Sequence, residues 1–297
     1  MRVASLDQGT NTTRLLVADV EDGDVQEVVR RSAITRLGEG VDRRKRLLPL
    51  PIARVRNVLA DYRRELESLG AERALLVATS AVRDAENGEA FLGEIEWSYG
   101  FEARLLSGED EARLTFRGVG IEDALVLDVG GGSTELVNAD SALSVALGSV
   151  RMTERFGEDV DAIAAHARTL LPTDLRPQRV VGVAATVTTL AALDLGLVEY
   201  DRERVHGHTL TLSAVEAQLE RLAALSLEER RRLPALEPER APVIVAGVTI
   251  VREAMRALGV DALEVSERDL LDGAALAAAE LPAPEEGAAP PGAYTCC

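Results

Sequence analysis

The sequence predicts an α/β protein built from two similar halves, and three observations predict it. Apolar runs of strand length alternate with segments of helical spacing along most of the chain. A strand that ends in Asp-x-Gly with a hydroxyl close behind occurs twice, as DQGT at 7–10 and as DVGGGS at 128–133, about 120 residues apart. The length, 297 residues, suits two domains better than one.

The elements follow in order. RVASLDQGT reads as a strand ending at Asp7-Gln8-Gly9-Thr10; TRLLVADV and DVQEVVRRSAITRL continue it as a meander with Gly and Asp at the bends. PIARVRNVLADYRRELESLG has helical spacing and stops at Gly70, a suitable C-cap. ALLVATSA is a buried strand, NGEAFLGEIEWSYG a helix, EARLLS a short strand, and GEDEARLTFRGV opens another helix. ALVLDVGGGST then repeats the strand and Gly turn, and ELVNADSALSVALGSVRMTERF reads as further strands bent at Asp140 and Gly148. RVVGVAATVTTLAALDLG reads as strand, small-residue turn and helix. APVIVAGVTIVREAMRALG reads as the same unit again, and ALEVSERDLLDGAALAAAE as a strand with the last helix. The tail LPAPEEGAAPPGAYTCC has the composition of a disordered segment. The resulting division is 1–117 plus 268–281, 118–267, and a tail at 282–297.

Composition narrows the chemistry. A net charge of −17 argues against general nucleic-acid binding, and an anionic ligand would need local donors to overcome that field. No run of 18 apolar residues supports a membrane span, and the start of the chain lacks the apolar stretch of a secretory signal. Cys296 and Cys297 are the only cysteines, so no disulfide framework is expected within the fold, in keeping with a cytoplasmic protein. Lys45 is the only lysine among 33 basic residues. A P-loop, which needs a lysine after its glycines, is excluded, and so is a cysteine-nucleophile phosphatase. A multi-histidine zinc site is hard to build from His166, His206 and His208 alone. Carboxylates, hydroxyls, arginines and backbone amides remain.

Those groups fit a phosphate. A turn whose N–H groups face one way is an anion nest, and glycine lets the backbone approach closely. Two halves facing each other would bring both turns to one cleft, with Thr10 and Ser133 adding hydroxyl donors. Asp128 and Glu135 are hard oxygen ligands of the kind Mg²⁺ takes together with water.

On these motifs, DQGTNTTRLLVADV, ATSAVRDAEN, LLSGEDEARLTFRGV, LVLDVGGGSTELV and GVAATVTTLAAL, the chain resembles the exopolyphosphatase / guanosine pentaphosphate phosphatase family, in family order over nearly all of residues 2–280. The resemblance implies a two-lobed actin-like ATPase (ribonuclease H-like) fold with its active site in the interdomain cleft, in the short form without extra C-terminal helical domains. It implies release of the terminal phosphate of inorganic polyphosphate or pppGpp with Mg²⁺ or another divalent cation. Glu111 matches the glutamate that activates water, and Arg83 an arginine near the substrate phosphates. Gly9, Thr10 and Asn11 match the first phosphate loop; Gly130, Gly131, Gly132 and Ser133 match the second. Asp128 and Glu135 match the metal carboxylates, and Asp7 is held as a ligand to metal-bound water. The partners implied are polyphosphate or guanosine penta/tetraphosphate, with no nucleic acid and no membrane; a homodimer is left open.

The chain departs from the family pattern at Gln8, at Asp110 beside the expected base, and in GVAAT, where a Gly-Thr pair is usual at 185 and 186. Thr186 is therefore not counted as a site, and Thr186 and Thr188 read as helix caps. The basic run DRRKR at 42–46 reads either as a solvated loop or as a region steering polyanions. Two rival functions remain open: a sugar or metabolite kinase of the same fold, which the low aromatic content gives little to stack on, and a non-catalytic alarmone-binding regulator.

Overall fold

The computed structural model describes residues 1–282; from residue 283 onward the expectation about the tail, Cys296 and Cys297 included, lies outside the described residues. The chain divides into two compact units, Met1–Val119 with the segment from Leu270, and Gly120–Asp269. The first unit runs β1 (Arg2–Gln8), β2 (Thr12–Glu21), β3 (Asp24–Ile34), α1 (Val41–Arg44), α2 (Pro49–Ser68), β4 (Arg73–Ala78), α3 (Ser80–Arg83), α4 (Gly88–Tyr99), β5 (Glu102–Leu105) and α5 (Gly108–Val119). The second runs β6 (Leu125–Val129), β7 (Thr134–Val137), β8 (Ala142–Val145), α6 (Ser149–Phe156), α7 (Val160–Leu170), β9 (Val180–Val183), α8 (Ala184–Asp194), α9 (Arg202–Val205), β10 (Thr209–Thr211), α10 (Leu212–Ala224), α11 (Leu227–Arg230), α12 (Ile244–Leu258) and β11 (Ala262–Val265). The last helix, α13 (Leu270–Ala279), returns to the first unit.

Each unit holds one sheet on the same plan. In the first the order is β3-β2-β1-β4-β5, an antiparallel meander extended by parallel β4 and β5. In the second the order is β10-β11-β9-β6-β7-β8, with the meander β6-β7-β8 extended by parallel β9 and β11. The first sheet is buried on both faces, so β1 reads as a continuous apolar run instead of an alternation. Ala4 and Leu6 pack with Val55, Leu59 and Leu66 of α2. Val3 packs with Leu271 and Ala274 of α13 on the other face. Helix α2 starts on Pro49, buries Val55, Leu59, Tyr62 and Leu66 along one stripe, and ends at Gly70, whose φ of 72 lets Ala71 N donate to Leu66 O at 3.1 Å.

Helix α13 docks on α5 where Gly273 meets Leu114. A Cβ at 273 would lie 1.9 Å from Leu114 O, so only glycine permits this approach. No helix among the described residues is long and apolar enough to cross a membrane.

Three expectations are corrected. Residues 149–156 form α6 instead of continuing as strand, because neighbouring turn carbonyls accept the first N–H groups of this segment. The apolar run at 243–248 belongs to α12. Ile244, Val245, Ala246 and Val248 are all buried, so the segment has no polar face and its periodicity cannot separate helix from strand. Thr186 and Thr188 do not cap α8: the N-cap position is Val183, with no side-chain cap bond.

Ala184 enters α8 at φ 66, in the left-handed region that disfavours a Cβ. Ala184→Gly should therefore stabilise the protein by about 0.5–1 kcal/mol and raise its melting temperature by roughly 2 °C. Thermal unfolding checks this; an unchanged or lower midpoint would show that the site carries no strain.

Candidate active-site turns and the buried glutamate

The first turn, Gly9–Thr12, joins β1 to β2, and its carbonyls are all taken. Thr12 O accepts from Gly9 N at 2.9 Å, Thr10 O from Gly38 N at 2.8 Å, and Asn11 O from Thr35 N and Arg36 N at 3.0 and 2.9 Å. Gly9 O accepts from Gln8 Nε2 at 3.3 Å, and Gln8 Oε1 accepts from Thr13 Oγ1 at 3.0 Å, so the unusual Gln8 braces the turn from beneath. Among the described residues no hydrogen bond uses the N–H groups of Thr10 or Asn11. The Asn11 Nδ2 donor is buried and without a partner. These donors suit an anion.

The second turn, Gly130–Ser133, joins β6 to β7 and is built the same way. Gly130 N donates to Ser133 O at 3.0 Å. The start of α6 occupies the remaining carbonyls: Ser149 N on Gly130 O at 3.0 Å, Val150 N and Arg151 N on Gly131 O at 2.9 and 3.2 Å, and Arg151 Nε on Gly132 O at 2.6 Å. Gly148 makes this contact feasible, since a Cβ there would lie 2.4 Å from Gly131 C and O and from Gly132 N. The N–H groups of Gly131, Gly132 and Ser133 enter no hydrogen bond among the described residues.

The two hairpins differ at the next cross-strand pair. In the first unit Asp7 stands opposite Arg14, and Asp7 Oδ2 accepts from Arg14 Nε at 2.8 Å and meets Nη2 at 2.7 Å. In the second, Asp128 stands opposite Glu135, and Glu135 stands opposite Ser144, whose Oγ donates to Glu135 Oε1 at 2.7 Å. Asp128 and Glu135 are 8% and 1% exposed. Two carboxylates directly opposite in an antiparallel pair repel, which favours a cation beside them. This pair fits Mg²⁺, which binds through one or two carboxylates with water and phosphate oxygens completing its shell. Among the described residues no group of three or more His, Cys, Asp and Glu side chains is assembled for a metal. At Asp7 the cation is already supplied by Arg14.

Glu111 lies in the first turn of α5 and is 7% exposed. Burial pushes its carboxyl up, and the nearby charge of Asp7 adds to this; Arg83 and, less strongly, Arg14 pull it down, leaving it at about 7. Arg83, at the end of α3, donates from Nη1 both to Glu111 Oε2 at 3.0 Å and to Leu106 O at 2.8 Å. Arg83 is thus the ion-pair partner of Glu111. Asp110, one residue away, does different work: its Oδ2 accepts from Ser107 Oγ at 2.6 Å and its N–H donates to Ser107 Oγ at 3.1 Å, capping α5.

Other singled-out residues hold loops and helices together. His206 Nδ1 accepts from Glu267 N at 3.2 Å, His208 Nε2 pairs with Asp194 Oδ2 at 2.8 Å, and His166 packs on Phe156. Thr186 abuts α12, where a Cβ on Gly247 would meet its Cγ2 at 2.8 Å. Sequence reasoning did not single out Arg14, Ser144 or Arg151, and it read Gly148 only as a bend between strands. The signal for Arg14 was present, because a four-residue hairpin loop at 9–12 sets residue 14 opposite residue 7.

The chain is similar to known proteins along most of its length. Residues 16–280 match the Ppx/GppA phosphatase family. Exopolyphosphatase 2 of Mycobacterium tuberculosis is 37% identical, over 94% of this chain and 98% of that protein. Exopolyphosphatase 1 of the same organism is 30% identical, over 92% of this chain and 87% of that one. The crystal structure of the Aquifex aeolicus family member superposes with a TM-score of 0.77 at 30% identity, covering 93% of this chain and 97% of the other. With the repeated strand-and-turn architecture of its two units, the chain belongs to the Ppx/GppA phosphatase family and shares the α/β fold of that family's solved structures.

Proposed function

We propose that the protein is an exopolyphosphatase, releasing the terminal phosphate of inorganic polyphosphate by attack of a water that Glu111 deprotonates. The observation that carries this reading is Glu111 itself: a buried carboxylate poised at about 7 and fixed by Arg83. A base with a pKa near the working pH combines the correct protonation state with useful basicity. The exopolyphosphatase names of relatives 37% and 30% identical favour polyphosphate as substrate. The terminal phosphate of pppGpp presents the same chemistry.

In this mechanism the water proton passes to Glu111, the water oxygen bonds to the terminal phosphorus, and the bridging P–O bond breaks with its electron pair leaving on the shortened chain. In the first unit the N–H groups of Thr10 and Asn11 would bind phosphoryl oxygens, and in the second the N–H groups of Gly131, Gly132 and Ser133 offer the same kind of donor. Phosphoryl transfer depends mainly on such positioning and charge stabilisation. A Mg²⁺ held by Asp128 and Glu135 would neutralise charge on the phosphoryl oxygens. Asp7 is left out of the metal shell because Arg14 neutralises it, and Arg83 acts first on Glu111, with its remaining donors available to a phosphate. Phosphate release from long-chain polyphosphate, tripolyphosphate and pppGpp, each with and without Mg²⁺, tests the reading; no release from any of them would end it.

Glu111→Gln keeps shape and removes basicity, so turnover should fall by about 10² or more with substrate affinity little changed. Asp110→Asn, which alters only a helix cap, should stay near wild type. Steady-state kinetics of both variants checks this, and the assignment fails if Asp110→Asn is the more damaging.

The same carboxyl sets a pH dependence. Wild-type kcat/KM should rise as pH climbs through about 7, where Glu111 loses its proton, and this limb should vanish in Glu111→Gln. Stability runs the other way. Because the folded pKa is raised, the neutral form is favoured in the fold, and that contribution is full below the ordinary carboxylate range and lost as pH rises through about 7. Glu111→Gln should therefore melt above wild type at pH 8 and level with it at pH 4; equal midpoints at both would show the carboxyl is not buried at cost.

Asp128→Asn should weaken the Mg²⁺ dependence and lower turnover together. An unchanged Mg²⁺ titration and rate would remove Asp128 from the metal site.

A further inference from the structure

The basic run Arg43–Arg46 is unexplained by the mechanism above, and its place in the first unit is specific. Upstream, the segment that leads into it holds the first phosphate turn: Thr35 N and Arg36 N donate to Asn11 O at 3.0 and 2.9 Å, and Gly38 N donates to Thr10 O at 2.8 Å. Downstream, the run is tied to the residues that follow Arg83. Glu86 N donates to Lys45 O at 2.8 Å, Leu47 N donates to Asn87 Oδ1 at 2.8 Å, and Asn87 Nδ2 donates back to Leu47 O at 3.1 Å. The run thus follows, within a few residues, the segment bonded to the proposed phosphate turn, and is itself bonded to the segment that follows the partner of Glu111.

Its shape is fixed as well. Arg44 ends the single helical turn α1, and Lys45 closes it at φ 51, with its N–H on Val41 O at 2.8 Å. A non-glycine residue is held in the left-handed region only where its surroundings over-determine it.

Among the described residues the arginines of the run have no acidic partner. Arg43, Arg44, Lys45 and Arg46 are all exposed. Among the described residues the acidic partner in the run is Asp42, 3.9 Å from Lys45, and Arg43, Arg44 and Arg46 have none. Most other arginines of this unit sit against a carboxylate, as Arg2, Arg54 and Arg56 do. In a chain of net charge −17, three arginines within four residues, without acidic partners among the described residues, form a local exception to a repulsive field.

We propose that Arg43, Arg44 and Arg46, with Lys45, form a distal subsite that holds phosphoryl groups farther along a polyphosphate chain whose terminal phosphate lies on the 9–12 turn. The proposal rests on the polyphosphate reading above and adds to it a preference for long chains. The recognised chemistry is a linear polyanion with charge on every repeating unit, and guanidinium groups suit its phosphoryl oxygens. A substrate of few phosphates would occupy the turn and leave the subsite empty.

The test compares Arg43→Gln/Arg44→Gln/Arg46→Gln with Arg43→Lys/Arg44→Lys/Arg46→Lys, after melting curves confirm that both fold. The ratio of kcat/KM for long-chain polyphosphate to that for tripolyphosphate should fall about 10-fold in the glutamine variant at low salt and largely persist in the lysine variant. The log–log salt dependence for the long substrate should become shallower by about 2 in the glutamine variant. A proportional loss on both substrates, or an unchanged ratio, overturns the subsite. Calorimetric binding of long-chain polyphosphate to the same three proteins separates the two readings. If wild type releases no phosphate, the hydrolase reading fails, and weaker binding by the glutamine variant alone still supports the subsite; equal binding by all three defeats it.

Discussion

A hairpin turn can offer its N–H groups to an anion only if its carbonyls are held elsewhere, and that constraint organises both units. In the first, residues 35–38 beyond β3 take the carbonyls of Thr10 and Asn11; in the second, the start of α6 takes those of Gly130, Gly131 and Gly132. A turn left alone would bring carbonyl oxygens and their negative ends near a phosphate. Each backbone bond contributes only about 0.5–1.5 kcal/mol to stability, but together they fix which polar edge the turn presents. The price appears in the sequence as Gly148, where α6 touches the turn too closely for any side chain.

On this shared scaffold the two hairpins have diverged in charge at one position. Asp7 faces Arg14 across the strands, a compact neutral pair, while Asp128 faces Glu135 with Ser144 beyond it. The first arrangement is self-contained. The second sets two buried carboxylates opposite each other, with the Ser144 hydroxyl donating to Glu135. The same strand and turn thus carries a different cross-strand pair in each unit, and the residue at the second position, arginine or glutamate, makes the difference.

The repeated turns were legible because they are local: Asp, Gly and hydroxyl fall within a few residues, and the alternating elements around them follow ordinary propensity. The α2 helix was legible for the same reason, from its apolar stripe to Gly70. What escaped was set by distant partners. SVRMTERF looks like strand by itself, yet carbonyls from Gly130 and Gly131 cap it as helix. APVIVAG looks like strand because a helix buried on all sides loses its polar face. Asp110 and Glu111 are neighbours with the same charge, and only the fold separates them, one bonded to Ser107 at the helix end and the other turned inward to Arg83.

The character of Glu111 is a balance of two large opposing effects. Burial raises the pKa and favours the neutral acid, which cannot act as a base. The Arg83 guanidinium alone would hold it ionised and weakly basic. Burial outweighs the guanidinium and the carboxyl settles at about 7, which requires it to be both enclosed and within hydrogen-bond reach of one cation. The enclosure depends on where α5 sits. Ser107 and Asp110 fix its beginning, and the absence of a side chain at Gly273 lets α13 lie against Leu114 in its middle. The ion pair of Arg117 with Glu280, with one contact at 3.0 Å, ties its far end. The reactivity assigned to one carboxylate is thus a property of a helix held at three points along its length, and a shift of that helix would change the base without touching it.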